Sequence, residues 1–540
     1  MNLAYVHEAI AEVIPDRDCI VYGARRFSWA ETTDRTRRLA DVLRRHGLGC
    51  HRERDELANW ESGQDHVALY LHNGNEYLEG MLGAFKARCA PFNVNYRYVE
   101  EELLYLFDNA DARAILYHAA FAPMLAKIRD KLPGEPLLIQ VADTSGHALL
   151  PGALDYEEAL ASASPSAPES LSEDDLYILY TGGTTGMPKG VLWRHEDVLS
   201  GALTGKPPES LSALLDHIRG REGIRALPTP PFMHGAAHWV AFNMWHIGGT
   251  VVIQEQVERL DPDDVWRTIE RERVASMAIV GDAFARPLID QLRKGQYDLS
   301  SLRRVTSGGA IFTASLKQEL LDLLPEIRIL DALGSSESGA QAMHVSSRES
   351  GASTGSFDLG PQDMVLSDDL SQRLEPGSDE RGWLARSGWI PLGYYKDPEK
   401  TQATFPVVDG LRYSVPGDRA MLGADGRVQL LGRDSVTINS GGEKIFAEEV
   451  ELALKHHPAV YDCVVCGTPS ERWGNQVTAI VRLRPGESVT EESLNATASE
   501  HISRYKLPKV FIFVDEVVRA PSGKADYRWA RETAEQALKG

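Results

Sequence analysis

The most informative stretch of the chain runs from Tyr180 to Gly190 and reads Y-T-G-G-T-T-G-M-P-K-G. The apolar residues Leu176 to Tyr180 lead into it and are typical of a short buried strand. Glycines let backbone N–H groups turn toward an anion because no Cβ stands in the way, and threonine hydroxyls add donors. Lys189 adds a positive charge. The stretch therefore predicts a strand followed by a polyphosphate-binding loop, whose donors are Thr181, Gly182, Gly183, Thr184, Thr185 and Gly186.

The order of residues in this loop distinguishes it from the Walker A phosphate loop. That motif needs G-x-x-x-x-G-K followed by serine or threonine, whereas here Pro188 precedes Lys189 and Gly190 follows it. A glycine- and threonine-rich surface turn is the alternative interpretation. The sequence closely resembles the phosphate-binding loop of the adenylate-forming superfamily, which includes acyl-CoA synthetases, adenylation domains of peptide synthetases and luciferases. The resemblance implies that the loop binds ATP.

The composition is typical of a globular protein with more than one domain. The chain has 540 residues, more than a single hydrophobic core supports, so two or more domains are expected. A formal net charge of −21 argues against nucleic acid or an anionic membrane surface as the main partner. No run approaches the roughly 18 apolar residues of a membrane-spanning helix, and no signal peptide is expected. Five cysteines favour a reducing compartment, so we expect a cytoplasmic enzyme.

One pair of these cysteines, Cys463 and Cys466, has the C-x-x-C spacing of many metal and redox sites. Neither a second pair nor a histidine cluster accompanies it. Small buried thiols on a strand are therefore the favoured interpretation.

Strands and helices alternate through the first part of the chain. Val67 to Leu71 has the pattern of a strand, Tyr77 to Arg88 that of a helix, and Ala114 to Tyr117 that of a second strand. Such alternation requires crossover connections. The sequence predicts an α/β protein whose large N-terminal domain has mixed, mostly parallel sheets flanked by helices. The Ala-, Ser- and Pro-rich segment from Ala161 to Ser172 is expected to be a linker before the phosphate loop.

The pattern of apolar residues and turn residues changes beyond Gly410. Gly423 to Gly426 has the pattern of a hairpin turn, and a different alternation of apolar residues follows Gly432-Arg433. The last ~105 residues are enough for a small α+β domain. We therefore predict an N-terminal domain at 1–432 and a C-terminal domain at 437–540, and the resemblance implies that 433–436 is a hinge about which the C-terminal domain is mobile.

Two histidines stand four residues apart in the segment from Pro230 to Trp239. On a helix His234 and His238 would suit a metal, but no carboxylate follows in H-E-x-x-H fashion and the surroundings are apolar. Packing or pocket lining is therefore favoured. The superfamily carries a histidine at the mouth of its acyl pocket, and His234 matches it. Peptide-synthetase domains carry Phe-Asp here to pair with an amino group, so the resemblance disfavours an amino-acid substrate.

Two further segments resemble the nucleotide-binding blocks of the superfamily. The segment Ile329 to Glu337 is similar to a motif written aromatic-Gly-x-Thr-Glu, in which Glu337 would hold Mg²⁺ against ATP together with Thr185. Asp331 would accept the adenine amino group, with a solvated acid as the alternative. A glycine pair that ends at Gly309 suits either close approach of a ring or a plain turn. The remaining nucleotide-binding positions implied by the resemblance are Leu333, which replaces the usual aromatic residue, Gly334, Ser335 and Ser336.

The hinge region carries the residues expected to hold the ribose and to turn the small domain. The superfamily uses the aspartate of a Thr-Gly-Asp motif to accept both ribose hydroxyls, and Asp418 matches it, although Pro416 replaces the threonine. Arg433 would reach the ribose or phosphate as a fixed cation. Ser435 stands where many relatives have Asp or Lys as the pivot.

The C-terminal segment carries two groups that the resemblance assigns to different steps. Gly441 and Gly442 would border the pantetheine tunnel of CoA, where a side chain would block the thiol. Lys524, at a tip flanked by Gly523, matches the catalytic lysine of the superfamily, which reaches the carboxylate and α-phosphate. A solvated surface lysine is the alternative.

These blocks occur in the order of the superfamily from Phe27 to Lys524, and they imply an AMP-forming acyl-CoA synthetase. A carboxylic acid and ATP would give acyl-AMP and pyrophosphate, with Lys189, Glu337 and Lys524 stabilising the charge and Mg²⁺ as cofactor. The small domain would then turn about Ser435, and CoA would displace AMP.

The spelling is most similar to actinobacterial fatty-acyl-CoA synthetases, a branch that includes ligases for bulky alicyclic or steroid side-chain acids. Three other functions remain open. These are an acyl-AMP ligase that serves a carrier protein, a luciferase-like oxidation of the acyl-AMP and a nucleotide sensor that has lost catalysis. The oligomeric state is also open, with a homodimer as one alternative.

Overall fold

Three β-sheets organise the chain, and helices cover their faces. The computed structural model describes residues 1–181, 187–204, 209–440 and 443–539. The strands are β1 (Asp18–Tyr22), β2 (Arg25–Ser28), β3 (His66–Tyr70), β4 (Ala90–Asn93), β5 (Ala112–His118), β6 (Leu137–Val141), β7 (Leu154–Asp155), β8 (Leu176–Thr181), β9 (Lys189–Arg194), β10 (Arg225–Pro228), β11 (Thr250–Ile253), β12 (Ser276–Ile279), β13 (Arg304–Gly308), β14 (Arg328–Ser335), β15 (Gly339–Ser346), β16 (Ser356–Leu359), β17 (Asp363–Leu366), β18 (Gly382–Ser387), β19 (Gly393–Tyr394), β20 (Val407–Val408), β21 (Leu411–Ser414), β22 (Asp418–Leu422), β23 (Arg427–Arg433), β24 (Thr437–Ser440), β25 (Glu443–Phe446), β26 (Val460–Ser470), β27 (Gly474–Leu483) and β28 (Val510–Phe513).

The α-helices are α1 (Leu3–Val13), α2 (Trp29–Arg45), α3 (Asn75–Lys86), α4 (Glu100–Asn109), α5 (Ala122–Ile128), α6 (Tyr156–Ser162), α7 (His195–Val198), α8 (Leu211–Arg219), α9 (Gly235–His246), α10 (Pro262–Glu272), α11 (Gly281–Leu292), α12 (Ala314–Leu323), α13 (Pro398–Thr404), α14 (Ala447–Lys455), α15 (Glu491–Ser499) and α16 (Tyr527–Lys539). Their local sequences explain several of these limits. Helix α2 begins after Ser28, whose hydroxyl accepts the Glu31 N–H while the Glu31 carboxylate accepts the Ser28 N–H. In the described part of the chain, no helix is both long and apolar enough to cross a membrane.

An eight-stranded sheet contains the strand that leads into the predicted phosphate loop. Its order is β19-β9-β8-β4-β3-β5-β6-β7, and the strands from β8 to β7 pair in parallel. The strands predicted near Val67 and Ala114 are confirmed as β3 and β5, and the helix predicted between them near Tyr77 is confirmed as α3. β8 and β9 form an antiparallel pair in which Thr181 lies opposite Lys189.

The largest sheet has fifteen strands and changes character along its width. β1, β11, β10, β12, β13 and β14 pair in parallel, with crossover helices between them, in keeping with the predicted fold class. Beyond β14 the pairing is antiparallel throughout. The reason is that the chain after Gly339 has short hairpin connections in place of crossover helices, including the predicted turn at 423–426 between β22 and β23.

A five-stranded sheet forms the C-terminal part of the molecule. Its strands β24 to β28 all follow Val436, and helices α14, α15 and α16 pack on it around separate apolar clusters. The chain passes from β23 of the largest sheet to β24 through a single 3₁₀ turn, Asp434–Val436. The large and small domains of the predicted fold class are therefore present, whereas the limits of the hinge stay a prediction.

The C-x-x-C pair lies on β26, as expected for buried thiols. Cys463 and Cys466 are both free and buried. Burial raises the pKa of the Cys466 thiol to about 12, so the thiol stays protonated at neutral pH.

Candidate active site

The predicted nucleotide-binding residues lie where neighbouring parallel strands end. β12, β13 and β14 are adjacent and parallel, and they end at Ile279, Gly308 and Ser335. Because the carboxyl ends of parallel strands meet at one edge of a sheet, the residues after them share one side of a cleft. Gly309 follows β13, and Glu337 lies in the turn after β14. This side of the cleft is called the sheet wall below.

Lys524 reaches the cleft from the C-terminal domain. A Cβ placed on Gly309 would lie 3.5 Å from Lys524 Cε, so the lysine passes directly over the end of β13. The side chain as a whole is exposed to solvent, but the protein around it removes part of the hydration of its ammonium group. This loss of hydration, and then the positive charge of Arg433, lowers the pKa of Lys524 to about 8, while Glu337 and Asp418 act in the opposite direction. The four charged groups therefore lie within electrostatic reach of one another.

The loop that carries Lys524 rests on the start of α11. Gly523 has φ +74°, and a Cβ there would lie 3.1 Å from both the Cγ1 atom and the carbonyl oxygen of Val280. Only glycine fits this combination of backbone angle and close contact without strain. The tip is thus seated against the sheet wall.

Asp418 and Arg433 face each other across the β22–β23 pair. Arg433 Nε donates to Asp418 Oδ1 at 3.3 Å, and the two residues are register partners. The Asp418 carboxylate, which is buried, raises the pKa of the Arg433 guanidinium. The arginine is therefore a permanent cation beside Lys524.

Glu337 is held from two directions by residues to which the sequence analysis gave no role. The Tyr394 hydroxyl donates to Glu337 Oε1 at 2.9 Å, and Ser414 Oγ donates to the Glu337 carbonyl at 2.7 Å. Both are neutral hydroxyl residues, and a hydroxyl gives no sign in the sequence of a partner that is distant in the chain. The contacts fix the carboxylate in the cleft.

The two histidines have different surroundings, which argues against a shared metal. His234 precedes α9, whereas His238 lies inside the helix and is bonded to the Tyr177 hydroxyl and the Phe232 carbonyl. Burial, followed by the charge of Lys524, lowers the pKa of His234 to about 3, so its ring is neutral. Within the described ranges, His234 Nε2 is buried and has no hydrogen-bond partner. This atom is therefore available to a ligand.

Asp331 is buried, not solvated, and it is paired. The Lys317 ammonium contacts its carboxylate and also donates to the Ser353 carbonyl. Burial raises the pKa of Asp331 to about 6 although the lysine opposes the shift. The predicted contact with adenine stays a prediction. Lys317 was missed because a lysine on a helix gives no sign in the sequence of facing inward.

The other predicted nucleotide-binding residues form the hairpin between β14 and β15. A Cβ on Gly334 would lie 2.2 Å from the Gly339 carbonyl, so the close pairing of the two strands requires glycine. Ser335 Oγ and Ser338 Oγ are 2.9 Å apart, and Trp193 Nε1 donates to the Ser336 carbonyl at 2.9 Å. Leu333 packs against the small apolar cluster formed by Ala342, Val365, Leu374, Leu384, Ala420, Leu422 and Val428.

Lys189 lies on β9 and forms an ion pair with Asp397 at the start of α13. Sequence patterns gave no sign of this partner, because the two residues are far apart in the chain. Thr181 ends β8 directly opposite Lys189. Gly182, Gly183, Thr184, Thr185 and Gly186 lie outside the described residues, as do Gly441 and Gly442. Ser435 lies in the 3₁₀ turn between the domains.

The structure thus brings six of the predicted residues to one cleft: Gly309, Glu337, Asp418 and Arg433 with Lys524 above them and His234 at the side. It gives Lys189 and Asp331 protein partners of their own. Two cations and two carboxylates around an opening suit a polyanionic ligand that also carries hydroxyl groups.

The chain is similar to known proteins over nearly its whole length. A sequence profile of AMP-binding enzymes matches residues 7–388, and a profile of the C-terminal domain of AMP-binding enzymes matches residues 449–524. The chain is 52% identical to the medium-chain acyl-CoA ligase Mig of Mycobacterium avium over 536 residues, which covers 98% of this chain and 97% of the relative. It is 42% identical to the 3-oxocholest-4-en-26-oate–CoA ligase of Rhodococcus rhodochrous, with 98% and 96% covered.

Solved structures show the same fold. The crystal structure of the anthranilate CoA ligase AuaEII in complex with anthranoyl-AMP superposes with a TM-score of 0.83 at 22% identity, and covers 100% of this chain and 98% of that one. A fatty acyl CoA synthetase of Mycobacterium tuberculosis gives a TM-score of 0.71 at 25% identity, with 99% of each chain covered.

Proposed function

The chain belongs to the family of AMP-binding enzymes, and we propose on that basis that it is an AMP-forming acyl-CoA ligase. It would join a carboxylic acid to CoA at the expense of ATP, in two steps. In the first, an oxygen of the acid attacks the α-phosphorus of ATP, the bond to the bridging oxygen breaks, and pyrophosphate leaves. In the second, the CoA sulfur loses its proton and attacks the carbonyl carbon of the acyl-AMP, and AMP leaves.

The observation that supports this proposal most directly is the position of Lys524. Its ammonium group lies over Gly309 and within electrostatic reach of Arg433, Glu337 and Asp418. A nucleotide-binding protein without catalysis does not need a cation brought from a second domain. Bound phosphates would raise the pKa of Lys524 above about 8, so the lysine would be charged when the reaction begins. Its charge and that of Arg433 would then oppose the negative charge that builds on the α-phosphate.

His234 is proposed to orient the acid, not to transfer a proton. With a pKa of about 3 its ring is neutral at physiological pH, so it does not act as a general acid but keeps one N–H that can donate a hydrogen bond. Its buried Nε2 can form one hydrogen bond to the substrate carboxyl group as that group approaches Lys524. Placing the carboxylate between a neutral donor and a cation favours the geometry of attack.

Glu337 is the residue proposed to hold Mg²⁺. Among the described residues, no group of three or more ligating side chains could hold a metal by itself. A single carboxylate such as that of Glu337 fits magnesium, which usually uses one or two carboxylates together with substrate phosphates. The Tyr394 hydroxyl occupies one lone pair of Glu337 and leaves the others for the ion. When bound with ATP, the ion supplies charge neutralisation at the phosphates.

The second step is proposed to use a different face of the small domain. Rotation about Ser435 in the hinge at 433–436 would withdraw Lys524 and bring Gly441 and Gly442 toward the acyl-AMP. The support is that one short turn joins two separately packed sheets. Under this proposal 1–432 and 437–540 move as two bodies.

The acid is proposed to be a medium-chain fatty acid or a steroid side-chain acid. The relatives that match over nearly their whole length are ligases named for medium-chain acyl groups and for 3-oxocholest-4-en-26-oate. We place the enzyme in the cytoplasm, where CoA and ATP are available and where its five free thiols stay reduced. A homodimer stays a proposal that mass measurement in solution would test.

The test is pyrophosphate release from ATP with octanoic, palmitic and 3-oxocholest-4-en-26-oic acids, each with and without CoA. We expect release that depends on one of these acids, and a thioester only when CoA is present. Release without any thioester would favour transfer of the acyl group to a carrier protein. ATP binding without release for any acid would contradict the proposal and favour a sensor.

A further inference from the structure

Helix α11 of the large domain presents a charged residue to the small domain. Asp282, in its first turn, accepts a hydrogen bond at Oδ2 from Lys455 Nζ at 3.1 Å. Lys455 is the last residue of α14. Both side chains are 11% exposed, so this is a largely buried ion pair that crosses from one domain to the other. Neither residue has a part in the reaction described above.

On the large-domain side, the pair is anchored to the segment that follows Gly309. Asp282 Oδ1 accepts the Thr313 N–H at 2.8 Å and the Thr313 hydroxyl at 3.2 Å. The Asp282 N–H donates to the Ile311 carbonyl at 2.9 Å. The carboxylate is therefore fixed in position before it meets the lysine, and the segment it fixes borders the sheet wall.

On the small-domain side, the pair is linked to the loop that carries the catalytic lysine. Lys455 Nζ also lies 3.4 Å from Asp462 Oδ1, and Asp462 accepts two hydrogen bonds of 2.7 Å from Arg519. Arg519 Nη1 donates in turn to the Gly523 carbonyl at 3.3 Å. A continuous series of charged contacts thus runs from Asp282 to the residue before Lys524.

Two neighbouring contacts occupy the same face of α11. Gly523 rests on Val280, two residues before Asp282. One helical turn after Asp282, the Arg286 guanidinium lies 5.6 Å from the centre of the Tyr461 ring on β26. Residues 280, 282 and 286 therefore form one docking face, and the ion pair lies at its centre.

We propose that Asp282 and Lys455 are positioning residues for adenylation: their ion pair holds the small domain in the orientation that places Lys524 over the cleft. This inference rests on the proposed function, because it assigns the pair to the first of the two steps. An ion pair that bridges two moving bodies stabilises only the arrangement in which they touch. It must break each time the small domain turns, and it must form again before the next adenylation.

Because the pair is largely buried, its removal should destabilise the docked orientation and leave the undocked orientations unaffected. When Lys455 loses its charge, Asp282 stays desolvated with only its hydrogen bonds from Thr313 for as long as the domains are docked; when Asp282 loses its charge, Lys455 keeps only the longer contact with Asp462. In either case the remaining charge regains water when the domains separate. The substitution therefore shifts the population toward undocked orientations. Adenylation needs the docked orientation and should slow down. Thioester formation from acyl-AMP supplied to the enzyme does not need it, and should keep its rate.

The first variants are Asp282→Asn and Lys455→Met. Asparagine keeps an oxygen for Thr313 and removes only the charge. The matched control is Lys506→Met, because Lys506 forms an ion pair of 2.5 Å with Glu449 inside the small domain and is 12% exposed, close to the value for Lys455. With an acid accepted by the wild type, we expect the rate of acid-dependent pyrophosphate exchange to fall about tenfold in both variants. Thioester formation from preformed acyl-AMP should stay within about twofold, and the control should change neither rate by more than that.

The exchanged pair, Asp282→Lys with Lys455→Asp, gives a second kinetic test. If the pair acts as a bridge, the double variant should recover part of the exchange rate that either single charge reversal loses. Equal losses of both half-reactions in the single variants, or an unchanged exchange rate, would overturn the inference. Failure of the wild type to adenylate any acid would contradict the proposed function instead.

A distance measurement tests the docking without any substrate. Spin labels at the exposed positions Glu326→Cys and Glu500→Cys, in a Cys50→Ser background, report the separation of the two domains by double electron–electron resonance. We expect one narrow distribution for the parent protein and added longer or broader distances after Asp282→Asn. Identical distributions for the two proteins would overturn the inference.

Discussion

The two walls of the cleft are held in place by different means. On the sheet wall, Glu337 follows a strand inside a continuous sheet and is bonded to Tyr394 and Ser414 of the same domain. On the opposite wall, Lys524 reaches the cleft only because the small domain is docked through Val280 and Asp282. The side proposed to receive the magnesium and the phosphates therefore depends on contacts within one domain. The side proposed to supply the catalytic cation depends on how the small domain docks against the large one.

The largest difference between the walls should come from Lys524→Ala. Removal of a preorganised charge from a reacting phosphate typically costs about 10²- to 10³-fold in rate, so pyrophosphate exchange should fall by that factor. Thioester formation from supplied acyl-AMP should be unchanged, because the lysine would be withdrawn at that step. The control is Lys509→Ala, an exposed lysine of the same domain. Intact exchange with loss of thioester formation would mean that the two steps have been assigned the wrong way round.

A smaller effect on the rate is expected from a change of pH, and it should come from Lys524 on the wall opposite the sheet wall. Under the proposed function the amine of Lys524 helps the reaction only when it is protonated, and burial together with Arg433 lowers its pKa to about 8. Because kcat/KM reports the free enzyme, kcat/KM for ATP in the adenylation step should fall as pH rises through 8, about tenfold for each further unit. In Lys524→Arg the guanidinium stays charged, so this decline should disappear even if the rate is lower. The same decline in the arginine variant would assign it to another group.

The smallest effect should come from the sheet wall, through Tyr394→Phe. A hydrogen bond to a charged group is worth about 1.5–3 kcal/mol in a buried site and less in an open cleft, so KM for the magnesium complex of ATP should rise about five- to tenfold. The rate at saturating nucleotide should change little, because other contacts still hold Glu337. Tyr395→Phe is the matched control, since that hydroxyl donates to Asp111 at 2.7 Å, outside the site. An equal effect in both variants would mean that Glu337 does not depend on Tyr394.

The sequence contained enough to predict the order of the blocks and the class of fold. Local patterns predicted β3, α3, β5 and the turn at 423–426, because each depends on residues close together in the chain. The resemblance to the superfamily carried the prediction that Asp418, Arg433 and Lys524 belong to a nucleotide site, and these three do lie within reach of one another. The alternation of strands and helices between Val67 and Tyr117 predicted mixed, mostly parallel sheets for the large domain. Beyond Gly339 a run of hairpins replaces the alternation on which that prediction relied.

What the sequence could not supply was the partner of each charge. Lys317 meets Asp331, Asp397 meets Lys189, and Lys455 meets Asp282 across a domain boundary. A charged residue on a helix or turn has the same pattern whether it faces water or a buried partner. Asp331 illustrates the point, because the alternative of a solvated acid was reasonable until the structure showed it buried beside a lysine. Pairs that are distant in the chain are determined by tertiary packing alone.

The division of the sheets along the chain also sets the order in which they can fold during synthesis. Within the described ranges, all strands of the two larger sheets lie before Asp434, and all strands of the third lie after Val436. During synthesis the two larger sheets can therefore close while the last strands are still inside the ribosome, since domains generally fold as units beginning at the N-terminus. A nascent chain at that stage would present the sheet wall, with Glu337 already in place, and would lack Lys524. Under the proposed function, such a chain could bind a nucleotide before it could catalyse adenylation.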